Sequence, residues 1–258
     1  MAQQEHSTLP GELIAAVRRG EMKKMLKWLR KGCIDARCPT MRGNTLLHSA
    51  VINAQPELIR ELVRRGANLD VTNDDGSTAL MAASQIGACA VVKLLLQHSA
   101  DPNRQTGRGA TALMAAAAHN QPEVMALLLE ASASLDLQTD EGETALTTAA
   151  ALGADDCVLL LLDEGANTAL QNNAGKTALG CAVAKSRSST QLLLQRGSTP
   201  PPETMSELPP DAVRIRTANG KIITVSESSL CTSGHGQHRK CRDPSSARRA
   251  MLVNAMRD

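Results

Sequence analysis

Four residues that could bind a metal ion lie close together near the end of the chain, at Cys231, His235, His238 and Cys241. Two thiolates and two imidazoles form a donor set that zinc takes in tetrahedral sites. Such sites usually place a long spacer between two ligand pairs, and no such spacer is present here. Gly, Ser and His fill most of the positions between the two cysteines. We therefore predict a flexible segment with no metal and no cofactor, and zinc binding is the alternative.

A second short motif, Ala-Gly-Lys-Thr at residues 174–177, is typical of the end of a phosphate-binding loop. In these loops the backbone N–H groups surround a phosphate, and a further glycine stands five positions before the second one. Leu170 occupies that position, so we do not predict nucleotide binding. The six histidines also form no signature with Ser or Cys and an acid. The sequence predicts a protein that is not an enzyme.

The composition of the 258 residues limits the class of protein further. Apolar residues make up 42% of the chain, there are 28 Lys+Arg against 26 Asp+Glu, and Phe and Tyr are absent. A core without these aromatics favours thin layers of Leu, Val, Ile, Met and Ala, and the chain lacks a base-stacking platform for nucleic acid. No apolar stretch is long enough to span a bilayer, and no secretory signal is recognisable at the start. We expect a protein of the cytoplasm or nucleus, neither secreted nor transmembrane.

The elements that position these residues follow a period of 33. Thr-x-Leu begins at Thr45, Thr78, Thr111, Thr144 and Thr177, and a glycine stands two residues before each threonine. A threonine hydroxyl can cap the first N–H groups of a helix, and a glycine can take positive φ in the turn before it. An alanine pair and then a run of three leucines follow each of the three middle threonines, Thr78, Thr111 and Thr144. The period predicts a stack of helical repeats.

In these columns the chain resembles the ankyrin repeat family, with Thr45-Leu46-Leu47-His48 closest to that family's Thr-Pro-Leu-His motif. The resemblance implies an all-α solenoid with short β-turn fingers, in which each repeat is a turn and two antiparallel helices. It covers residues 11–198, with a capping repeat at 11–35 and five repeats that begin near residues 40, 73, 106, 139 and 172. In the later repeats Met81, Met114, Thr147 and Gly180 replace the histidine.

The repeat pattern ends where Pro210 occupies the position of the next threonine. Residues 199–258 begin as a proline-rich linker, and Asn219-Gly220 between two β-type runs predicts a hairpin over 213–225. The remainder is a basic, flexible tail in which Arg and Lys recur between 239 and 249. We predict that this C-terminal region is partly disordered.

The resemblance also implies a binding surface, because ankyrin partners lie against the finger tips and the exposed side of the first helix of each repeat. The variable residues of those columns are the candidate protein-binding residues. They are Arg42, Asn44, Asp74, Asp75, Ser77, Gln85, Arg108, His119, Asp140, Glu141, Glu143, Leu152 and Lys176.

Charge is uneven along the repeats. Between Arg108 and Lys176 the sequence contains no Lys or Arg and ten Asp or Glu residues. A basic segment of a partner would be attracted to this part of the third and fourth repeats. We therefore expect a non-catalytic interaction module, a scaffold, adaptor or inhibitor. The alternative is a regulator whose basic Cys/His-containing tail binds zinc, nucleic acid or an anionic membrane.

Overall fold

The computed structural model describes residues 11–30, 35, 37–38, 41–183, 185–195, 212–216 and 222–226. The chain divides into two units, Met1–Pro201 and Pro202–Asp258. The candidate zinc ligands Cys231, His235, His238 and Cys241 lie outside the described residues, as do the basic tail and the linker. Within the described part, no helix is both long and apolar enough to cross a membrane.

The first unit is a stack of helix pairs. Its helices are α1 (Gly11–Arg18), α2 (Met22–Leu29), α3 (Leu46–Ile52), α4 (Pro56–Arg64), α5 (Ala79–Gln85), α6 (Cys89–Gln97), α7 (Ala112–Ala118), α8 (Pro122–Glu130), α9 (Ala145–Leu152), α10 (Asp155–Asp163), α11 (Ala178–Ala182) and α12 (Arg187–Gln195). Two short antiparallel strands, β1 (Arg37–Cys38) and β2 (Asn44–Thr45), precede α3. The mostly helical architecture confirms the predicted solenoid.

The helices form two rows. The inner helices α3, α5, α7, α9 and α11 pack against one another in chain order, and the outer helices α4, α6, α8, α10 and α12 do the same. Small residues allow the inner row to pack closely, and Ala83, Ala116 and Ala149 are fully buried. Leu62, Leu95, Leu128 and Leu161 fill the outer row and are also fully buried. The core is therefore a continuous aliphatic layer that needs no aromatic side chain.

Each inner helix begins at a threonine cap, as the period predicts. The side chains of Thr45, Thr78, Thr111, Thr144 and Thr177 each accept a hydrogen bond from the backbone N–H three residues later. All five threonines are buried. Because a buried N–H without a partner is costly, these caps fix where each inner helix starts.

The fingers that connect the repeats are tight turns joined to one another. The first finger is the turn at residues 41–44, and the second to fifth fingers are residues 73–77, 106–110, 139–143 and 172–176. Each of the last four is closed by a backbone bond between its first and last residue, such as Thr139 N to Glu143 O at 2.9 Å. Between fingers, Asp140 N donates to Arg108 O at 3.0 Å and Asn173 N donates to Glu141 O at 2.9 Å. Gln105 Nε2 donates to Gln138 O, and Gln138 Nε2 donates to Gln171 O. Both acceptors come directly before the next finger. The fingers are therefore a connected row.

A second set of hydrogen bonds connects neighbouring repeats in the loops that follow the outer helices. Asp70, Asn103 and Asp136 each accept, through Oδ1, a backbone N–H of the following repeat at 2.7–3.0 Å. At the outer helix ends, Gly66 and Gly165 take positive φ, and so do Ser99 and Ser132 in the same column. Serine pays a steric cost in that conformation that glycine does not. The ends of α6 and α8 are therefore strained compared with those of α4 and α10.

In the second unit the structure describes two antiparallel strands, β3 (Ala212–Arg216) and β4 (Ile222–Ser226). Their register pairs Ala212 with Ser226 and Arg216 with Ile222.

Candidate functional site

The candidate binding surface is the inner face, which we define as the fingers together with the exposed sides of the inner helices. Most of the predicted binding residues are accessible there. Those that are exposed are Arg42, Asp74, Asp75, Gln85, Arg108, His119, Asp140, Glu141, Leu152 and Lys176. Ser77 and Glu143 are half-buried and Asn44 is buried.

Asn44 does not belong to the exposed surface on which it was predicted. Its Oδ1 accepts a hydrogen bond from Asn73 Nδ2 at 2.9 Å, and the side chain is packed between the first two repeats. The expectation that Asn44 is available at a finger tip is wrong, because the residue joins repeats instead. The place of Asn44 in the repeat does not predict its burial, because Lys176, in the same column of the fifth finger, is exposed.

Glu143 has a similar structural role in the fourth repeat. Its Oε1 accepts a hydrogen bond from Asn172 Nδ2 at 2.7 Å, across the same pair of columns as Asn44 and Asn73. Its Oε2 is buried and has no hydrogen-bond partner in the described part of the chain. A lysine at this position would disturb the packing between repeats. Glu143 is therefore unsuitable for testing the charge of the finger tips.

The charges at the finger tips alternate in sign along the row. One column of the fingers holds Arg42, Asp75, Arg108 and Glu141 in successive repeats. Arg42 Nη1 and Asp75 Oδ2 are 3.2 Å apart and both side chains are largely exposed. Such a surface pair contributes little stability. It does reduce the negative charge of the second finger, so the fourth finger, with Asp140 and Glu141, is the more strongly acidic of the two.

The C-terminal ends of the inner helices expose apolar side chains on the same face. Ile86 and Leu152 belong to one column and are 48% and 58% exposed, whereas most large aliphatic side chains are buried. His119 lies between them in the same column. Its Nδ1 donates to Ala115 O at 3.0 Å, so its Nε2 accepts from the Gln85 amide at 3.2 Å. The inner face therefore combines exposed apolar groups with an ordered polar group.

The ten acidic residues between Arg108 and Lys176 do not form one cluster. Asp140 and Glu141 are the exposed members at the fingers, and Glu143 is a half-buried finger residue. The other seven lie on the outer helices or in the loops that follow them. Asp155 joins repeats, because its Oδ1 accepts hydrogen bonds from the hydroxyls of Ser186 and Ser189 in the fifth repeat. The acidic character predicted from the sequence is therefore shared between the inner and outer sides of the stack.

His48 is buried and supports the first finger instead of a ligand site. Its Nδ1 lies 3.3 Å from the Thr45 backbone N, which can only donate, so Nδ1 accepts and the proton is on Nε2. Nε2 donates to Ser77 O at 2.9 Å, which connects the first repeat to the second finger. Burial, and to a lesser extent the nearby Arg37, lowers the pKa of His48 below its usual value. At neutral pH the imidazole is therefore uncharged in the folded protein.

We expect His48 to make the stability of the protein pH-dependent. Because its folded pKa is below its unfolded pKa of about 6.5, the unfolded chain binds the proton more tightly, and stability falls as pH drops through that value. The slope from this one group is at most about 1.4 kcal/mol per pH unit. Urea unfolding at a series of pH values between about 7.5 and 5.5 measures it.

His48→Met is the matched control, because Met81 and Met114 occupy the same column in later repeats. The variant is expected to lose this part of the pH dependence. Glu61 and Asp155 have lowered pKa values and so reduce stability only at more acidic pH. An unchanged slope in the variant between about pH 7.5 and 5.5 would show that His48 is not responsible.

The described cysteines do not indicate catalysis or metal binding. Cys157 is fully buried in α10, and burial, with a contribution from Asp156, raises its pKa to about 11. Burial also raises the pKa of Cys181. Thiols in this state are poor nucleophiles. Within the part of the chain that the structure describes, no three His, Cys, Asp or Glu side chains are placed to hold a metal ion.

Sequence reasoning missed one surface that the structure displays. Leu159 is 39% exposed in the middle of the outer helix α10. The signal was present in its column, which holds Arg60, Lys93, Ala126 and Leu159. This column varies as much as the finger columns do, and only the structure shows that it faces outward.

Comparison with known proteins agrees with this architecture. The family profile described as ankyrin repeats (3 copies) matches residues 13–106, 52–138, 82–172 and 113–202. An ankyrin repeat-containing protein of Treponema pallidum is 40% identical over 91 residues, which are 35% of this chain and 30% of that protein.

Two further relatives are much longer proteins. The mouse palmitoyltransferase ZDHHC13 is 35% identical over 92 residues, 35% of this chain and 15% of that protein. The zebrafish neurogenic locus notch homolog protein 1 is 36% identical over 78 residues, 30% of this chain and 3% of that protein. The chain therefore spans less than a third of the length of each of these relatives.

Proposed function

The chain belongs to the ankyrin repeat family, whose members are in general non-catalytic protein–protein interaction modules, and we propose that its inner face binds a basic, partly apolar segment of a partner protein. The observation that carries this proposal is that the inner face exposes both kinds of group, the apolar side chains of Ile86 and Leu152 at the C-terminal ends of α5 and α9 and the acidic side chains of Asp140 and Glu141 at the fourth finger. The protein acts in this view as a scaffold, adaptor or inhibitor.

The chemistry of the segment follows from the two kinds of group that it meets. Apolar side chains of the partner pack on Ile86 and Leu152, because burying these exposed groups removes apolar surface from water. Lys or Arg residues of the partner lie against Asp140 and Glu141. Because Arg108 of the preceding finger is also exposed, an acidic residue of the partner that follows its basic ones fits the alternating row.

The test is a quantitative affinity capture from cell lysate with the full chain as bait. Asp140→Lys combined with Glu141→Lys is expected to weaken capture of the partner at least about tenfold and to reduce its salt dependence. Leu152→Ser is expected to weaken capture without changing the salt dependence. Circular dichroism checks that each variant is folded.

The matched control is Glu123→Lys combined with Glu130→Lys, which makes the same change of charge on the outer helix α8. Capture by this variant is expected to remain close to that of the unchanged protein. The proposal fails if the Asp140→Lys, Glu141→Lys variant still captures the partner as the unchanged protein does. It also fails if the two double variants lose capture of the partner to the same extent.

A further inference from the structure

A shallow groove lies between the outer helices α4 and α6 and shares no residue with the inner face. The residues that line it are Pro56, Ile59 and Arg60 of α4 and Ala90, Val91, Lys93, Leu94 and Gln97 of α6. Ile59 is fully buried, and Val91 and Leu94 are half-buried. Arg60 and Lys93 are exposed. The groove therefore has an aliphatic floor that lies below a basic rim.

The two cations of the rim stand on opposite walls of the groove. Arg60 and Lys93 occupy the same column of successive repeats, so they lie at the same level along α4 and α6. Neither forms an ion pair with any residue that the structure describes. Arg64 and Arg65, by contrast, are held by Glu61, at 2.8 and 2.7 Å. Arg60 and Lys93 are therefore available to the carboxylates of a partner, one on each side of the groove.

The acidic side chains of α4 do not face this groove. Glu57 and Glu61 stand in the columns of Ala90 and Leu94. Ala90 and Leu94 line the groove that α6 forms with the preceding helix, α4. In the same register, Glu57 and Glu61 face α2, the outer helix that precedes α4. No Asp or Glu is among the residues that line the groove between α4 and α6.

The corresponding positions of the next two repeats are acidic. Ala90 and Gln97 lie at the two ends of the groove on α6. In the next two outer helices an acid replaces each of them. These acids are Glu123 and Glu130 on α8, and Asp156 and Asp163 on α10. An acidic partner is therefore repelled where α8 and α10 form the same kind of groove, and the groove between α4 and α6 is selected.

The outer helix that precedes α4 adds to the attraction of an acidic partner. Lys23 and Lys27 of α2, and Arg30 directly after it, are exposed. None of the three forms an ion pair with the described part of the chain. Unpaired surface charges steer the encounter with an oppositely charged partner, and the effect weakens as salt increases.

We propose that this groove binds an acidic amphipathic helix of a partner protein. From Ala90 to Gln97 the wall is about 10 Å long, which is about two helical turns. This length matches apolar side chains at positions i, i+4 and i+7 of a bound helix. Because Arg60 and Lys93 stand on opposite walls, Asp or Glu residues flank the apolar positions on both sides of the partner helix.

The aliphatic floor favours a protein segment over other anionic partners. The phosphates of a nucleic acid would meet Arg60 and Lys93, but its backbone has no aliphatic group for the floor. A surface that binds a membrane inserts its apolar side chains into the lipid. Ile59, Val91 and Leu94 lie below the rim and do not protrude.

The test is a fluorescence anisotropy titration of the full chain with a labelled synthetic helix. The probe has about 14 residues, with Leu at positions i, i+4 and i+7, Glu on both flanks and Ala elsewhere. Saturable binding that weakens as salt increases is expected, because the ion pairs at the rim are exposed. A peptide of the same composition, with its leucines spread around the helix, is expected to bind at least about tenfold more weakly.

Two double variants of the protein test the rim and the ends of the groove. Arg60→Glu with Lys93→Glu is expected to weaken binding of the probe at least about tenfold, because the rim then repels its carboxylates. Ala90→Glu with Gln97→Glu is expected to weaken it to a similar extent. The second variant is expected to fold as the unchanged protein does, because α8 and α10 have acids in both columns.

The matched control is Arg104→Glu with Lys185→Glu, which makes the same change of charge as the rim variant at two exposed positions outside the groove. Its Kd for the probe is expected to change by less than about threefold, because distant surface charges are screened. Circular dichroism checks that each variant is folded.

Three outcomes would overturn the proposal. The first is a probe that does not bind, or that binds no better than the peptide with spread leucines. The second is a rim variant that binds the probe as the unchanged protein does. The third comes from parallel titrations with phosphatidylserine vesicles and single-stranded RNA. If either binds more tightly than the probe and is lost in the rim variant, the groove belongs to that partner instead.

Discussion

Replacing Gly76 with alanine is expected to lower the free energy of unfolding by about 3 kcal/mol or more, a large share of the stability of a typical domain. Gly76 has φ +77°, where an alanine pays about 1–2 kcal/mol. A Cβ there would also lie 2.5 Å from the Gly107 backbone N of the next finger. Backbone atoms cannot rotate away as a flexible side chain can, so the finger row itself must shift.

Gly175→Ala is the matched control for this prediction. Gly175, in the fifth finger, has φ +72°, but no atom of the described residues lies within 4 Å of the position of its Cβ. Only the conformational cost of about 1–2 kcal/mol applies there. Urea unfolding of both variants measures the difference, which isolates the close approach of two fingers. Equal losses would show that finger packing contributes nothing at Gly76.

The period of 33 was enough to predict the regular part of the fold. Threonine and glycine recur because a helix cap and a positive φ require those residue types, so their chemistry can be identified without coordinates. The buried leucines of the outer helices recur for a similar reason, since each repeat packs against the next in the same way. Positions set by local geometry or repeated packing were therefore predictable.

Positions where a residue departs from its column were not predictable in the same way. Ala54 takes positive φ where the second to fourth repeats have glycine or asparagine, and Ser99 and Ser132 do so where the first and fourth repeats have glycine. Val183, at the C-terminal end of α11, is 62% exposed, whereas Val51 of its column is buried between helices of the first two repeats. These outcomes depend on neighbouring repeats, which the residue itself does not encode.

The candidate site was predicted unevenly for the same reason. The column of Arg42, Asp75, Arg108 and Glu141 was identified correctly as exposed, because turn tips face solvent. Asn44 and Glu143 stand close to these tips in sequence, but their side chains bond to Asn73 and Asn172 of the following repeat. In both cases the bonded residues are 29 positions apart in the sequence and belong to neighbouring repeats. These hydrogen bonds distinguish the side chains that hold repeats together from those that are available to a partner.

Leu128→Ala is expected to destabilise the protein by about 2–5 kcal/mol, the range for removing a fully buried leucine. Leu128 is 0% exposed in α8, between the second and fourth repeats. Because the stability of a repeat array depends on contacts between neighbours, a cavity in the middle repeat weakens both of its interfaces. We therefore also expect the single unfolding transition to separate into two steps.

Leu152→Ala provides the control, since Leu152 is 58% exposed at the end of α9 and its removal is expected to cost less than about 1 kcal/mol. Urea unfolding followed by circular dichroism gives the two free energies, and hydrogen exchange shows which repeats open first. If the Leu128→Ala variant unfolds in one step and exchange speeds up equally in all repeats, coupling extends beyond nearest neighbours. The alternation of alanine and leucine layers would then act as one cooperative core, because a cavity in one repeat would be felt along the whole stack.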